Sequence, residues 1–300
     1  MIKFGTSDLS VGEIAYGCWR FAQNSVAGAQ GLIETALGAG MNLIDTADIY
    51  GFGEPAKFTD DRGFGESEAV LGQVLKGAPG LRDDMVLLTK GGIIPSRPYD
   101  SSYDYLTGAL EASLTRLRTD RVDVYLIHRP SLTESFEEAG RALDALVDAG
   151  KTRYVGVSNF TVSQAAALQA NMRAPLVTHQ NEFSAIAQSP ITDGILDQCQ
   201  EKNMTLMAWS ALGGGKILTR DVHFKLQPVL DVMGRIAKQH GCDISHVAIS
   251  FILRHPASTM AIIGTQKPER ILEAAKAKDV TLSARDWYDI IEAYRGVAMP

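Results

Sequence analysis

The chain has 300 residues, 45% hydrophobic and 21% charged, with a formal net charge of -6 and no dense Lys/Arg run, which is ordinary for a soluble globular protein and argues against a nucleic-acid surface. No apolar run approaches the ~20 residues that a membrane span needs, and the first ten residues lack the apolar core of a signal peptide. Its three cysteines, Cys18, Cys199 and Cys242, are widely spaced and odd in number, which suggests neither a disulfide framework nor a zinc site and fits a reducing, cytoplasmic setting.

Residues 2–4 and 9–11 flank Gly5, Thr6, Ser7 and Asp8 and read as a small hairpin. Eight apolar runs follow, at 14–18, 41–44, 85–89, 122–127, 154–157, 176–178, 205–208 and 260–263. Amphipathic stretches lie between them, at 29–38, 67–76, 105–117, 135–148, 162–171 and 191–202. Several end near a glycine at the turn into the next run: Gly40, Gly77 and Gly150. Strands alternating with helices predict parallel βαβ units, and eight units predict a closed (β/α)₈ TIM barrel, an α/β fold. The alternative is an open doubly wound sheet, but no GxGxxG follows the first run, since Gly12 and Gly17 form the wrong pattern. With no repeat or linker, residues 1–300 read as one barrel domain. Three pieces exceed the minimal repeat: a Gly-rich loop at 51–64, two helical patterns at 225–254 after the seventh run, and a terminal helix at 283–294.

The chemistry gathers where apolar runs stop. The stretch Met41 to Ile44 ends at Asp45, with Tyr50 five positions on; 85–89 ends at Lys90 before a glycine pair; 122–127 ends at His128. In a barrel of this kind catalytic groups occupy the C-terminal ends of strands. Neighbouring strands lie about 4.8 Å apart, so adjacent ends can place these side chains together. Alone, each residue has a plainer reading: Asp45 as a cap or turn, Tyr50 as packing, Lys90 as a solvated strand end, His128 as a loop histidine. Joint placement on successive strands favours one site. In that site Asp45 pairs with Lys90, the Lys90 ammonium lowers the pKa of Tyr50, and His128 orients a substrate carbonyl. Tyr50 would then give a proton to a developing alkoxide while a hydride arrives from elsewhere.

At these residues the sequence resembles the aldo-keto reductase superfamily over nearly its whole length. Asp45, Thr46 and Ala47 with Tyr50 resemble a family signature, and Lys90 and His128 match the other two members of its tetrad. Gly65-Glu66-Ser67-Glu68 and Gly156-Val157-Ser158-Asn159-Phe160 are similar to further family motifs. The resemblance implies a TIM barrel that binds NADP(H) across its mouth, needs no metal, and reversibly reduces a small-molecule aldehyde or ketone. It carries cofactor contacts onto Ser158, Asn159 and Gln180, which would hold the nicotinamide carboxamide. Trp209 stands where the family usually has a stacking tyrosine. Ser210, Leu212, Gly214 and Lys216 follow in a glycine-rich stretch suited to a pyrophosphate. Gly264, Thr265, Gln266, Arg270 and Glu273 fall in the segment that the family uses for the adenosine 2′-phosphate. Two departures are visible there: Gly264 stands where some members have lysine, and Ala274 where asparagine often contacts adenine. Trp19 is assigned to the cofactor mouth, and with Phe52, Phe58 and Phe64 would also suit an apolar or aromatic substrate.

Two other readings compete. One is a non-catalytic, cofactor-sensing regulatory subunit of the same fold, against which the intact tetrad argues. The other is a Schiff-base aldolase with Lys90 as nucleophile, which Asp45 opposes by keeping the amine charged. The substrate and the oligomeric state are left open, with a monomer compatible.

Overall fold

The computed structural model describes residues 1–52, 63–95 and 97–300. A two-stranded antiparallel hairpin opens the chain, with β1 (Ile2–Lys3) against β2 (Ser10–Val11). Then β3 (Ile14–Gly17) leads through α1 (Val26–Gly38) to β4 (Leu43–Asp45), and α2 (Glu66–Gly77) to β5 (Val86–Gly91). The alternation continues with α3 (Tyr103–Leu117), β6 (Val122–Ile127), α4 (Phe136–Asp148), β7 (Thr152–Ser158), α5 (Val162–Gln169) and β8 (Leu176–Glu182). Next come α6 (Ile195–Lys202), β9 (Thr205–Trp209), the short α7 (Lys216–Thr219), α8 (Gln227–His240) and α9 (Ile244–Leu253). The last strand is β10 (Thr259–Ile263), followed by α10 (Pro268–Ala275) and α11 (Ala284–Arg295). All eight strands from β3 to β10 pair in parallel, and β10 returns to β3, so the sheet closes into a barrel. The fold is the expected (β/α)₈ barrel with an N-terminal hairpin; closure rules out the open doubly wound sheet.

Strand parity decides what faces the barrel axis. Leu43, Val86, Leu88, Val124, Leu126 and Met207 form the inner cluster, while their neighbours Ile44, Leu87, Tyr125, Leu206 and Ala208 pack outward on the helices. Both faces are buried, so the strands read as continuous apolar runs rather than as alternation. Phe4, Leu9 and Val11 of the hairpin join the inner cluster. The Gly5 amide donates to Thr205 Oγ1 at the first residue of β9, so the hairpin covers the N-terminal ends of the strands. The opposite, C-terminal end carries the site.

The helices start and stop for local reasons. Ser25, Ser102 and Ser135 cap α1, α3 and α4 by accepting a backbone N–H from the first turn. Gly40 and Gly150 follow α1 and α4 with φ of 84° and 69°, a conformation that disfavours a Cβ. Gly77 differs: it is the last residue of α2, and Ala78 caps it. The stretch expected to be helical from 191 is helical only from Ile195, because Ile191 ends a separate turn at Pro190 and Gly194 restarts the chain at φ 86°. The region 225–254 holds α8 and α9 as expected, and α11 docks beside them. Trp287 of α11 stacks on Phe251 of α9 at 5.5 Å and donates Nε1–H to the Phe251 carbonyl. Among the described residues no helix is long and apolar enough to cross a membrane. Phe58 and most of the 51–64 loop lie outside the described residues.

Candidate active site

The inward parity of Leu43, Leu88 and Leu126 continues two residues on to Asp45, Lys90 and His128. Lys90 lies inside β5 rather than past its end, because pairing runs on through Lys90–Leu126 and Gly91–Ile127. His128 follows β6, its amide bonded to the Gly91 carbonyl at 2.8 Å. Tyr50 arrives from the loop after β4. Lys90 Nζ lies 2.9 Å from Asp45 Oδ1 and 3.0 Å from Oδ2. It also donates to the Thr46 carbonyl at 2.8 Å and to the Tyr50 hydroxyl at 3.0 Å. An ammonium has three protons. Carboxylate, carbonyl and phenol oxygen take one each, so the proton of Tyr50 itself points away from the lysine.

The charges follow from burial. Lys90 is fully buried, which alone would lower its pKa; Asp45 and Tyr50 outweigh this and hold it above the ordinary value. Tyr50 corrects the sequence-based expectation. Burial is the largest influence and raises its pKa, Lys90 opposes the rise, and Asp45 adds to it. The lysine limits the rise rather than producing a net fall. Burial first, then Lys90 and Arg129, push the His128 pKa well below the usual imidazole range, so the ring is neutral. That ring stands edge-on to Tyr50 with centroids 5.8 Å apart, and among the described residues its buried Nδ1 has no hydrogen-bond partner.

Beside the tetrad lies a second group, built on the ends of β7, β8 and β9. Asn159 Nδ2 donates to the His128 carbonyl at 3.0 Å and to Ser158 Oγ at 2.9 Å, while its Oδ1 accepts from Trp209 Nε1 at 3.1 Å. Gln180 Nε2 donates to Asp45 Oδ1 at 2.8 Å across the barrel. Asn159 and Ser210 both hold positive φ, 59° and 54°, which is uncommon outside glycine.

A profile of the aldo/keto reductase family matches residues 13–295. The chain belongs to the aldo/keto reductase family. It is 42% identical over 300 residues to a 6-dehydroglucose reductase of Novosphingobium aromaticivorans, covering 99% of this chain and 96% of that protein. A second 6-dehydroglucose reductase, from Agrobacterium fabrum, is 40% identical over 303 residues, with 97% of each chain covered. Among solved structures, a thermostable aldo-keto reductase, Tm1743, in complex with the inhibitor epalrestat superposes with a TM-score of 0.82 at 27% identity, covering 97% of this chain and 98% of that one. Membership and these relatives make the chain a carbonyl-reducing oxidoreductase acting on small molecules, in a family that generally uses NAD(P)H.

One side of the aldo/keto reductase mouth presents open glycine backbone. Gly213, Gly214 and Gly215 all take positive φ, and at Gly214 and Gly215 a Cβ would meet nothing within 4 Å, leaving open backbone beside Ser210 and Leu212. At the other end, Gln266 Oε1 accepts from Asn24 Nδ2 at 2.6 Å, and the Thr265 carbonyl accepts from the Tyr16 hydroxyl at 3.0 Å, fixing the turn that begins at Gly264. Lys267 is the N-cap residue of α10, and it makes no side-chain cap hydrogen bond. Arg270 and Lys216 are exposed, and among the described residues neither side chain has a polar partner. Glu273 is committed elsewhere, to Lys276 Nζ at 2.7 Å and His246 Nε2 at 3.1 Å. Trp19 is 61% exposed, with the Arg20 guanidinium 5.1 Å from its ring centre. Phe64 packs under the Arg116 guanidinium at 5.7 Å.

Three participants escaped the sequence reading. Thr46 acts through its backbone oxygen, which no side-chain motif reports. Asn181 Oδ1 accepts from the Asn159 amide at 2.8 Å, although its position next to Gln180 gave a positional cue. Asp48 is buried, and burial first and then Glu68 hold its pKa well above the usual carboxylate range.

Proposed function

We propose that this chain is an NADP(H)-dependent reductase of aldehydes or ketones in which Tyr50 donates the proton. The observation that carries the reading is the commitment of all three Lys90 protons. With the phenol oxygen accepting from Lys90, the remaining Tyr50 O–H is available to a carbonyl oxygen in front of it. As negative charge develops on that oxygen, the proton moves from Tyr50 Oη to it, and the Lys90 ammonium stabilises the phenolate left behind. Neutral His128 orients the carbonyl by a hydrogen bond rather than by charge. NADP(H), when bound, supplies the hydride. Ser158, Asn159 and Gln180 would hold its carboxamide and Trp209 its ring. The open glycines after Ser210 suit its pyrophosphate, and the unpaired Arg270 its 2′-phosphate. Glu273, tied to Lys276 and His246, would have to leave those partners to reach the adenine.

The relatives give a starting point for the substrate: both are 6-dehydroglucose reductases, so 6-dehydroglucose heads the panel, followed by simple aliphatic and aromatic aldehydes. The regulatory-subunit reading loses support from the assembled tetrad, and the Schiff-base reading from the charged state of Lys90. The odd number and wide spacing of Cys18, Cys199 and Cys242 favour a reducing, cytoplasmic placement. The test is NADPH absorbance at constant enzyme across that panel. Oxidation of NADPH by at least one carbonyl, slowed by roughly 100-fold or more in Tyr50→Phe, is the expected result. An inert wild type, or a Tyr50→Phe variant with near-normal turnover, would overturn the reading.

A further inference from the structure

The hydrogen bond from Gln180 to Asp45 joins two groups that otherwise have separate tasks. Both residues are 2% exposed, and they stand 135 positions apart in the sequence, on β8 and β4. Asp45 Oδ1 receives Gln180 Nε2 at 2.8 Å and lies 2.9 Å from Lys90 Nζ, so one carboxylate oxygen serves both neighbours. Gln180 Nε2 has a second contact, Met207 Sδ at 3.9 Å. The two protons of the amide nitrogen are thereby directed to Asp45 and Met207, which fixes the amide against a flip. A flipped amide would turn its oxygen onto a buried carboxylate. Held this way, the amide leaves Oε1 as the end of Gln180 that can accept a hydrogen bond from a ligand.

We infer that Gln180 is a positioning residue of the proton-donating machinery: it acts through Asp45 on Lys90 and Tyr50, besides any contact with the cofactor. This rests on the proposed function only for its kinetic arm. The chain of contacts is Gln180 Nε2 to Asp45, Asp45 to Lys90 Nζ, and Lys90 Nζ to Tyr50 Oη. An N–H donor on Asp45 neutralises part of its charge. Less negative charge then faces the phenol, which favours the phenolate. Among the described residues, the charged or titratable groups around Tyr50 are Asp45 from β4, Lys90 from β5, His128 after β6 and Cys18 after β3. Burial keeps His128 neutral and the Cys18 thiol protonated, so Asp45 and Lys90 are the charges that Gln180 can tune. The structure links the carboxamide side of the mouth to the acid by one shared carboxylate oxygen. A ligand that pulls on Gln180 Oε1 also adjusts its grip on Asp45.

The experiment compares wild type, Gln180→Met and Gln180→Glu in three readouts. The first is the ionisation of Tyr50 in the cofactor-free protein, followed by ¹³Cζ-tyrosine NMR and assigned by the loss of its signal in Tyr50→Phe. The second is the pH dependence of kcat for NADPH-linked carbonyl reduction. The third is the NADPH dissociation constant by fluorescence titration. Gln180→Met removes the donor and should move Tyr50 ionisation, and the alkaline limb of kcat, up by about half a pH unit or more. Gln180→Glu puts a second carboxyl against Asp45 and should move both further in the same direction. Weaker NADPH binding with both titrations unmoved would make Gln180 a cofactor contact alone and overturn the inference. A wild type that reduces no carbonyl would defeat the functional reading, while the cofactor-free titration would still decide this one.

Discussion

Removing Lys90 tests the site as a folded unit. Lys90→Met keeps the length of the side chain but takes three hydrogen bonds from a residue with no solvent exposure. It leaves Asp45, 3% exposed at its side chain, with only the Gln180 amide to compensate its charge. At that burial no screening discount applies, and breaking a buried pair by removing one partner costs about 3–5 kcal/mol. The Gln180 donor remains, so the lower end, about 3 kcal/mol, is expected. In a chain of this size that lowers the melting temperature by roughly 5 °C. Asp45→Asn in the Lys90→Met background removes the stranded charge and should recover most of the loss, so the double mutant is more stable than Lys90→Met alone. Catalytic defects should be non-additive in the same cycle, because both residues act on Tyr50. Thermal melts and kcat/KM of the four proteins measure both. A Lys90→Met variant that melts within a degree of wild type, or strictly additive losses, would refute the shared network.

Three further outcomes are expected. Tyr50→Phe keeps the ring but removes the acid, and turnover should fall by roughly 10²–10⁴-fold with NADPH affinity retained; near-normal turnover would sink the assignment. Arg270→Met should weaken NADPH by roughly 10–100-fold while NADH is almost untouched, since a hydrogen bond involving a charge is worth about 1.5–3 kcal/mol; equal loss for both cofactors in a binding titration would give Arg270 a structural role only. Asp48 has a folded-state pKa raised by burial, so the folded chain keeps a proton that the unfolded chain releases above about pH 4. Its contribution is most favourable below that pH and is lost as pH rises through the folded pKa, so Asp48→Asn should gain melting temperature over wild type increasingly from pH 4 to 8, and a constant offset across that range would contradict the buried neutral acid.

The tetrad was legible for a reason that the barrel makes plain. A parallel strand is buried on both faces, so its apolar run cannot say which residues face the axis. The end of the run still marks where a polar group reaches the mouth, and Asp45, Lys90 and His128 sit at or beside such ends. The boundaries themselves were not legible. Lys90 and Gly91 are strand residues because β6 offers them partners, and a lysine beside glycines does not look like a strand from its own propensity. Tyr50 was marked by its place five residues after Asp45 and by the chemistry of a phenol beside an amine, and the family resemblance added to that, since no periodicity governs the loop that carries it. The start of α6 was misread because Gly194 breaks a stretch whose apolar spacing alone looks helical. Expectations carried by resemblance placed groups along the chain but could not say what each side chain does with its spare bonds. Glu273 pairs with Lys276 and His246, and Trp209 Nε1 is spent on Asn159.

Those spare bonds decide how far the site acts as one body. Asp45 is bonded from β5 and from β8, and Asn159 from the end of β9, while Asn159 itself reaches back to the His128 carbonyl after β6. Six strand ends, those of β4 to β9, are thus tied by side chains rather than by the ladder alone. Of the non-glycine residues with positive φ, Asn159 and Ser210 lie at the mouth, each at a cost of the order of 1 kcal/mol or more; Asn159 makes such ties and Ser210 follows Trp209, which makes one. Strain is retained only where neighbours over-determine a conformation, and here the neighbours are the groups that would grip a nicotinamide and deliver a proton. A substitution at one strand end should therefore be felt at the others. A family motif, which lists residues singly, does not carry that property, because it depends on pairs such as Gln180 and Asp45 that meet only when the barrel closes.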